Sequence, residues 1–330
     1  MDIQHMRPID TDLHPVCNRT YLMPTYSIGE TYAMVLKTIR RRDSGLMIYG
    51  RPRYGKTSAM LYCRHCLNAD FPDLPVAIYN AKREVSAHKG NFYISLLEVV
   101  GHKRWEDHSS VVVKHARLVN FMADAASRDS RKLFILFLDE AQRLLHAHFD
   151  WIKDIYNDLL FRGVTLLPIL VGQRQLLDQK KSFLRAGEEG EAIVNRFMLY
   201  EHPFRGIKAK EDFLDCLGHY DATVYPEASG WTYTRFFLPE AFSAGFRLQT
   251  YGDMLWEAFN DSYNALGIKE NMEVPMKYFT KTVEMLLIEN SDRDGLDFSL
   301  STEACMRLIQ ESWFQAATAN SKAAHGLSER

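Results

Sequence analysis

Residues Met47 to Leu61 read MIYGRPRYGKTSAML, an apolar run that enters a turn with two glycines and a proline and leaves it as a helical pattern. The turn matches G-x-x-x-x-G-K-[ST] at Gly50, Gly55, Lys56 and Thr57. Backbone N–H groups wrap a phosphate only where side chains leave them bare, which accounts for the glycines. A helix beginning at the same corner points its positive end at the anion. On this reading the whole loop faces a nucleotide: Gly50, Arg51, Pro52, Arg53, Tyr54, Gly55, Lys56, Thr57 and Ser58. Lys56 reaches the β and γ phosphates and Thr57 ligates Mg²⁺, so ATP and Mg²⁺ are the implied cofactors. The competing reading is a plain glycine-rich turn with an exposed lysine, but that reading does not require a strand before it and a helix after it.

The rest of the chain is read around that corner. Short apolar runs at 46–50, 75–80, 132–139, 164–172 and 197–204 alternate with helical patterns. Strands apolar along their whole length are buried on both faces, which predicts a parallel sheet flanked by helices, an α/β fold. The run LFILFLDEAQ ends in Asp139 and Glu140. An aspartate at a strand's carboxyl end holds Mg²⁺ beside Thr57, and the glutamate next to it takes a proton from the attacking water. VTLLPILVGQ ends at Gln173, where an amide senses the γ-phosphate or holds the water. Arg196 precedes the fifth run and is placed to stabilise charge on a transferring phosphoryl group of a neighbouring copy. Arg247 heads a helical segment in the second half and is expected to reach the γ-phosphate. The expected catalytic set is therefore Glu140, Lys56, Gln173 and Arg196, and a surface or ion-paired role is the plainer alternative for each arginine.

These positions, in this order, resemble an AAA+ ATPase over residues 28–267. More narrowly, FLDEAQRL with a compact core and short lid resembles the TnsC/TniB family of regulators of cut-and-paste DNA transposition, and within it the CRISPR-associated transposon branch. The resemblance implies Walker A roles for Lys56 and Thr57, Walker B roles for Asp139 and Glu140, sensor 1 for Gln173, the arginine finger for Arg196 and sensor 2 for Arg247. Gln173 departs from the asparagine or threonine more usual at its position. The implied activity is ATP hydrolysis used as a switch for assembling homo-oligomeric rings or filaments on duplex DNA. The implied partners are a transposase and a TniQ/TnsD-type target selector. Two alternatives stand: a nucleotide-gated P-loop scaffold that barely hydrolyses ATP, and a helicase or helicase loader. A metabolic kinase is disfavoured because Glu140 beside Asp139 suits water activation.

The domain expectation is an extended arm over 1–27, a nucleotide core over 28–205, a helical lid over 206–267, and C-terminal helices with a flexible tail over 268–330. The aromatic segment 231–246 is not assigned. Lys plus Arg is 40 against 42 for Asp plus Glu, a formal charge of −2, so any surface for DNA must be local. Lys82, Arg83, Lys89, Lys103, Arg104 and Lys114 are the candidates, contacting backbone phosphates rather than base edges. Five scattered cysteines and the lack of a long apolar run point to a reducing cytoplasm and no membrane. Cys63 and Cys66 in CRHC read as partly buried thiols, and His146 and His148 as surface histidines.

Overall fold

The computed structural model describes the backbone of residues 7–328 and the side chains of residues 7–321. The chain divides into two compact units. One is residues 28–204; the other combines the described parts of 1–27 and 205–330. In chain order, α1 (Pro15–Asn18) and α2 (Tyr26–Arg41) precede β1 (Leu46–Tyr49), α3 (Lys56–Asp70) and β2 (Val76–Asn80). Then come α4 (Lys89–Val99), α5 (Val111–Ala126), β3 (Leu133–Asp139), α6 (His146–Phe161) and β4 (Thr165–Gly172). A further pair of helices, α7 (Gln175–Arg185) and α8 (Glu188–Ile193), leads through a π-helical turn (Val194–Met198) into β5 (Glu201–Pro203).

The five strands form one parallel sheet in the order β2-β3-β4-β1-β5. Alternation along the strands decides what each face meets. Phe134, Leu136, Leu138, Leu166 and Leu170 share a core with Phe92, Leu118 and Phe149 from α4, α5 and α6. The intervening Ile135, Phe137, Leu167, Ile169 and Val171 share a second core with Val35 of α2 and Met60 and Cys63 of α3. Because both faces are covered, β3 is buried at every position, and each such aliphatic or aromatic side chain contributes about 1.5–3 kcal/mol of burial. Tyr49 is opposite both Gly172 and Pro203, and Asn80 is opposite Asp139. The carboxyl ends of the strands therefore finish along one edge, where open α/β sheets take their ligands.

The fifth strand is shorter than its apolar run predicts. Phe197 and Met198 are buried in the π-helical turn, and extended pairing begins only at Glu201. A short apolar run satisfies either geometry, so periodicity alone does not separate them.

In the second unit, α9 (Lys210–Ala222), α10 (Tyr233–Phe237), α11 (Pro239–Ser243), α12 (Gly252–Asn264), α13 (Met276–Asn290), α14 (Thr302–Glu311) and α15 (Phe314–Ser328) surround one hydrophobic core. The aromatic segment is part of it: Trp231, Tyr233, Phe236, Phe237 and Phe246 are all buried there. Residues expected to form a lid and residues expected to form separate C-terminal helices share this core. Phe213 meets Phe279 edge-on at 4.9 Å, and Phe259 meets Phe314 at 5.0 Å. The stretch STEACMRLIQESWFQAA is divided between α14 and α15 at Trp313, whose φ is 69°. The expected flexible tail is helical through Ser328, and its last two residues, Glu329 and Arg330, lie outside the described residues.

Residues 7–27 are not an extended arm. A 3-10 turn (Thr11–Leu13) and α1 bring His14 against Phe236, stacked at 4.2 Å, and bury Val16. The Tyr21 hydroxyl donates to Glu284 at 2.9 Å, and the Arg19 guanidinium pairs with the same carboxylate at 3.1 Å. Prolines break periodicity but do not prevent packing, which is why the segment looks featureless in sequence. Residues 1–6 of the expected arm lie outside the described residues.

Candidate nucleotide site

The site is built at the carboxyl end of β1. Gly50 donates its N–H to the Gly172 carbonyl at 3.2 Å, and a Cβ at Gly50 would lie 2.4 Å from the Phe204 carbonyl oxygen. The chain can leave the sheet here only without a side chain. Gly55, at φ 105°, makes the left-handed step into α3 that other residues resist. Lys56 opens that helix and is only 8% exposed. Its ammonium donates to the Gly50 carbonyl at 2.9 Å and the Arg51 carbonyl at 2.8 Å. Burial pulls the Lys56 ammonium down to about 8, against the attraction of Glu140 and Asp139. Pro52 and Arg53 are exposed, whereas the Tyr54 side chain is buried in the core shared with α2 and α3. Tyr54 can therefore serve the loop only through its backbone.

Thr57 and Asp139 are 82 residues apart and meet here: the threonine hydroxyl donates to Asp139 Oδ2 at 3.0 Å. The other carboxylate oxygen accepts the Glu140 N–H at 2.9 Å. Burial raises the Asp139 carboxyl above its ordinary range, while the Glu140 N–H, the Thr57 hydroxyl and the Lys56 charge oppose that rise. A hydroxyl and a carboxylate side by side are the hard oxygen donors that Mg²⁺ takes from a protein when phosphates and water supply the rest. The buried ammonium six residues along from Gly50 is matched to a polyanion. The residues present therefore fit a nucleoside triphosphate with its metal: Thr57 and Asp139 would hold the ion, and Lys56 the phosphates.

Glu140 follows in the left-handed region at φ 52°, an uncommon conformation for a residue other than glycine. Ala141–Arg143 is a 3-10 turn that folds the next two side chains back over it. The Gln142 amide donates to Glu140 Oε2 at 2.9 Å and accepts the Gln173 N–H at 3.0 Å. Arg143 pairs with the same Oε2 at 3.2 Å and donates to the Ala81 carbonyl at 3.3 Å. Sequence reading missed Gln142 and Arg143. They stand inside the quoted FLDEAQRL, but their direction depends on the backbone twist at Glu140, for which the residue types carry no signal. Gln173 is thus tied to Glu140 through its backbone and Gln142.

The two arginines have local partners. Arg196 is in the π-helical turn, donates to Asn157 Oδ1 at 2.8 Å and lies over the Tyr156 ring at 4.7 Å, both on α6. Arg247 belongs to the other unit. It precedes a 3-10 turn (Leu248–Tyr251) rather than heading an α-helix, donates to the Phe242 and Phe246 carbonyls, and stacks on Phe242 at 3.5 Å.

The DNA candidates fall into two groups. Lys82 and Arg83 are exposed just after β2, Lys89 opens α4 and Lys114 is in the first turn of α5. Gly90 and Val111 are neighbours, so these helix starts are close together. Lys89 is engaged with Asp154 at 3.1 Å. Lys103 and Arg104 are exposed and follow His102, whose ring packs on Phe121. That point is two turns along α5 from Lys114, about 10 Å away.

His148 is buried rather than on the surface. Its Nδ1 accepts the Leu145 N–H at 3.0 Å and its Nε2 faces Glu84 at 3.5 Å. Cys63 is buried and Cys66 half-buried, both as free thiols. Among the described residues no group of three or more His, Cys, Asp or Glu is placed to hold a metal, and no helix is long and apolar enough to cross a membrane.

A family model described as an AAA domain matches residues 39–179. The fold is an AAA fold. Among solved structures, the ORC2 protein of Aeropyrum pernix (ADPNP-ADP complexes) is similar with a TM-score of 0.57 at 13% identity, covering 91% of this chain and 71% of that one. Cdc6p from Pyrobaculum aerophilum is similar with a TM-score of 0.51 at 13% identity, covering 88% and 68%. The Aeropyrum pernix ORC1 protein in complex with DNA reaches 0.50 at 14% identity, covering 88% and 66%. No curated protein matches the chain by sequence. At such identities the likeness is one of AAA fold, and the chemistry has to be argued from the site.

Proposed function

We propose that this protein is a Mg²⁺-dependent ATPase that uses nucleotide to switch its own assembly on duplex DNA. The observation that carries the reading is the contact of the Thr57 hydroxyl with Asp139 beside the buried Lys56 ammonium. Those three groups supply the two metal ligands and the phosphate cation that hydrolysis needs. Bound Mg²⁺ would neutralise charge on the β and γ phosphates. The water oxygen bonds to the γ-phosphorus, its proton passes to Glu140, and the bond to the bridging oxygen breaks with its electron pair leaving on ADP. Gln173 orients the water, and Arg196 and Arg247 act on nucleotide bound by a neighbouring copy or by the same chain. The similar AAA folds include one described with ADPNP and ADP and one described in complex with DNA, which supports nucleotide and DNA as ligands. Lys82 and Arg83, exposed beyond β2, are the first choice for phosphate contacts. The resemblance of FLDEAQRL to the TnsC/TniB regulators carries the finer reading: a cytoplasmic link between a TniQ/TnsD-type target selector and a transposase.

A second reading is a nucleotide-gated scaffold or helicase loader that barely turns over. It draws on the engagement of Glu140 Oε2 by both Gln142 and Arg143, which occupies one of the two oxygens that could take the water's proton. Glu140→Gln separates the two. On the ATPase reading the variant binds ATP normally, loses turnover by about two orders of magnitude or more, and stays assembled on duplex DNA in sedimentation. An unchanged turnover rate favours the scaffold, and a wild-type protein that ignores ATP and DNA alike ends both readings. Strand displacement by the wild-type protein would point to the helicase.

A further inference from the structure

Gln142 has a chemistry that no other side chain of its size can copy. It donates from its nitrogen to Glu140 Oε2 and accepts at its oxygen from the Gln173 N–H. Each partner fixes one end: a carboxylate oxygen only accepts and a backbone N–H only donates. The bridge spans the ends of β3 and β4, and the sheet has made room for it. A Cβ on Gly172 would lie 2.3 Å from the Gln142 oxygen. Arg143 reaches the same Glu140 oxygen and the Ala81 carbonyl, so the turn after β2 is tied in as well. Glu140 Oε1 has no hydrogen-bond partner among the described residues, and the side chain is 25% exposed. One oxygen is fixed and the other is left to take the water's proton.

We propose that Gln142 is the positioning residue of the hydrolytic site, holding the Glu140 carboxylate by one oxygen to the end of β4 so that the position of Gln173 sets where the base stands. The proposal rests on the ATPase reading above. It has one physical consequence. A base misplaced by an ångström costs about a hundredfold in rate without changing how tightly the substrate binds.

The test compares wild type, Glu140→Gln, Gln142→Glu and Gln142→Asn for ATP affinity and kcat. Gln142→Glu keeps the shape and the bond from Gln173 but replaces the donor with a like charge; Gln142→Asn keeps the amide on a shorter stem. Both are expected to hold the ATP Kd within about threefold while kcat falls roughly 10- to 100-fold. A loss in kcat at an unchanged Kd is a split that a structural role would not produce. Should Gln142→Glu fail to fold, Gln142→Asn decides the matter. Normal kcat, in a background where Glu140→Gln is inactive, overturns the role of Gln142 alone. Absence of turnover in the wild type overturns the ATPase reading and this proposal with it.

Discussion

Lys56→Ala separates what the buried lysine does for the ligand from what it does for the fold. Burial takes this ammonium from 10.5 to about 8. At 1.36 kcal/mol per unit, the protein without nucleotide carries a cost of about 3 kcal/mol for keeping the charge there. Truncation removes that cost but strips the Gly50 and Arg51 carbonyls of their donor, which costs about 1–3 kcal/mol. The two terms nearly cancel, so thermal unfolding without nucleotide should shift by only a few degrees in either direction. Binding should not be spared. Charge-assisted bonds to phosphate are worth about 1.5–3 kcal/mol, and a loss of 2 weakens Kd roughly 30-fold. At an ATP concentration of 100 times the wild-type Kd, the wild type gains about 2.7 kcal/mol of stability and the variant only about 0.9. Scanning fluorimetry with and without ATP and Mg²⁺ reads both quantities in one plate. A variant that unfolds far below the wild type without nucleotide, or that keeps the full ATP-induced shift, refutes the reasoning.

The same lysine gives a pH signature. The unfolded chain binds its proton up to about 10.5 and the folded one up to about 8, so stability without nucleotide should rise with pH across that window. Phosphate restores the proton, so ATP affinity should fall roughly tenfold between pH 7 and pH 9, with proton uptake visible by calorimetry in buffers of different ionisation heat. Gly50→Ala should drive a methyl into the Phe204 carbonyl and cost about 1–3 kcal/mol; a melting scan that finds no loss would contradict the close approach. In the other unit, Asp221 accepts the Thr234 hydroxyl at 2.6 Å and the Leu248 and Gln249 N–H groups at 3.0 Å. Asp221→Ala should destabilise that unit by about 2–4 kcal/mol and leave ATP affinity unchanged, which calorimetric unfolding and a binding titration would check together.

The corner at Gly50–Thr57 and the strand ending in Asp139–Glu140 were legible because each motif obeys local rules: glycines where backbone must be bare, unbroken apolar runs where both faces of a sheet are covered. The three central strands, β3, β4 and β1, were read for the same reason. What the residues concealed depends on a single backbone torsion or on partners far along the chain. Gln142 and Arg143 turn toward Glu140 only because Glu140 adopts φ 52°. Phe197 and Met198 are as apolar as strand residues but lie in a π-helical turn. The aromatic segment 231–246 made sense only once α12, α13 and the N-terminal segment were seen to share its core.

That last arrangement bears on how the molecule is made. Residues 7–27 are synthesised before the side chains they pack against, Phe236, Phe237 and Glu284, which follow some two hundred residues or more later. The unit that carries the sheet, residues 28–204, is an insertion within a discontinuous one. It can complete its sheet while the chain is still being translated, whereas residues 7–27 must wait, unsatisfied, until α10 to α13 emerge to close around them.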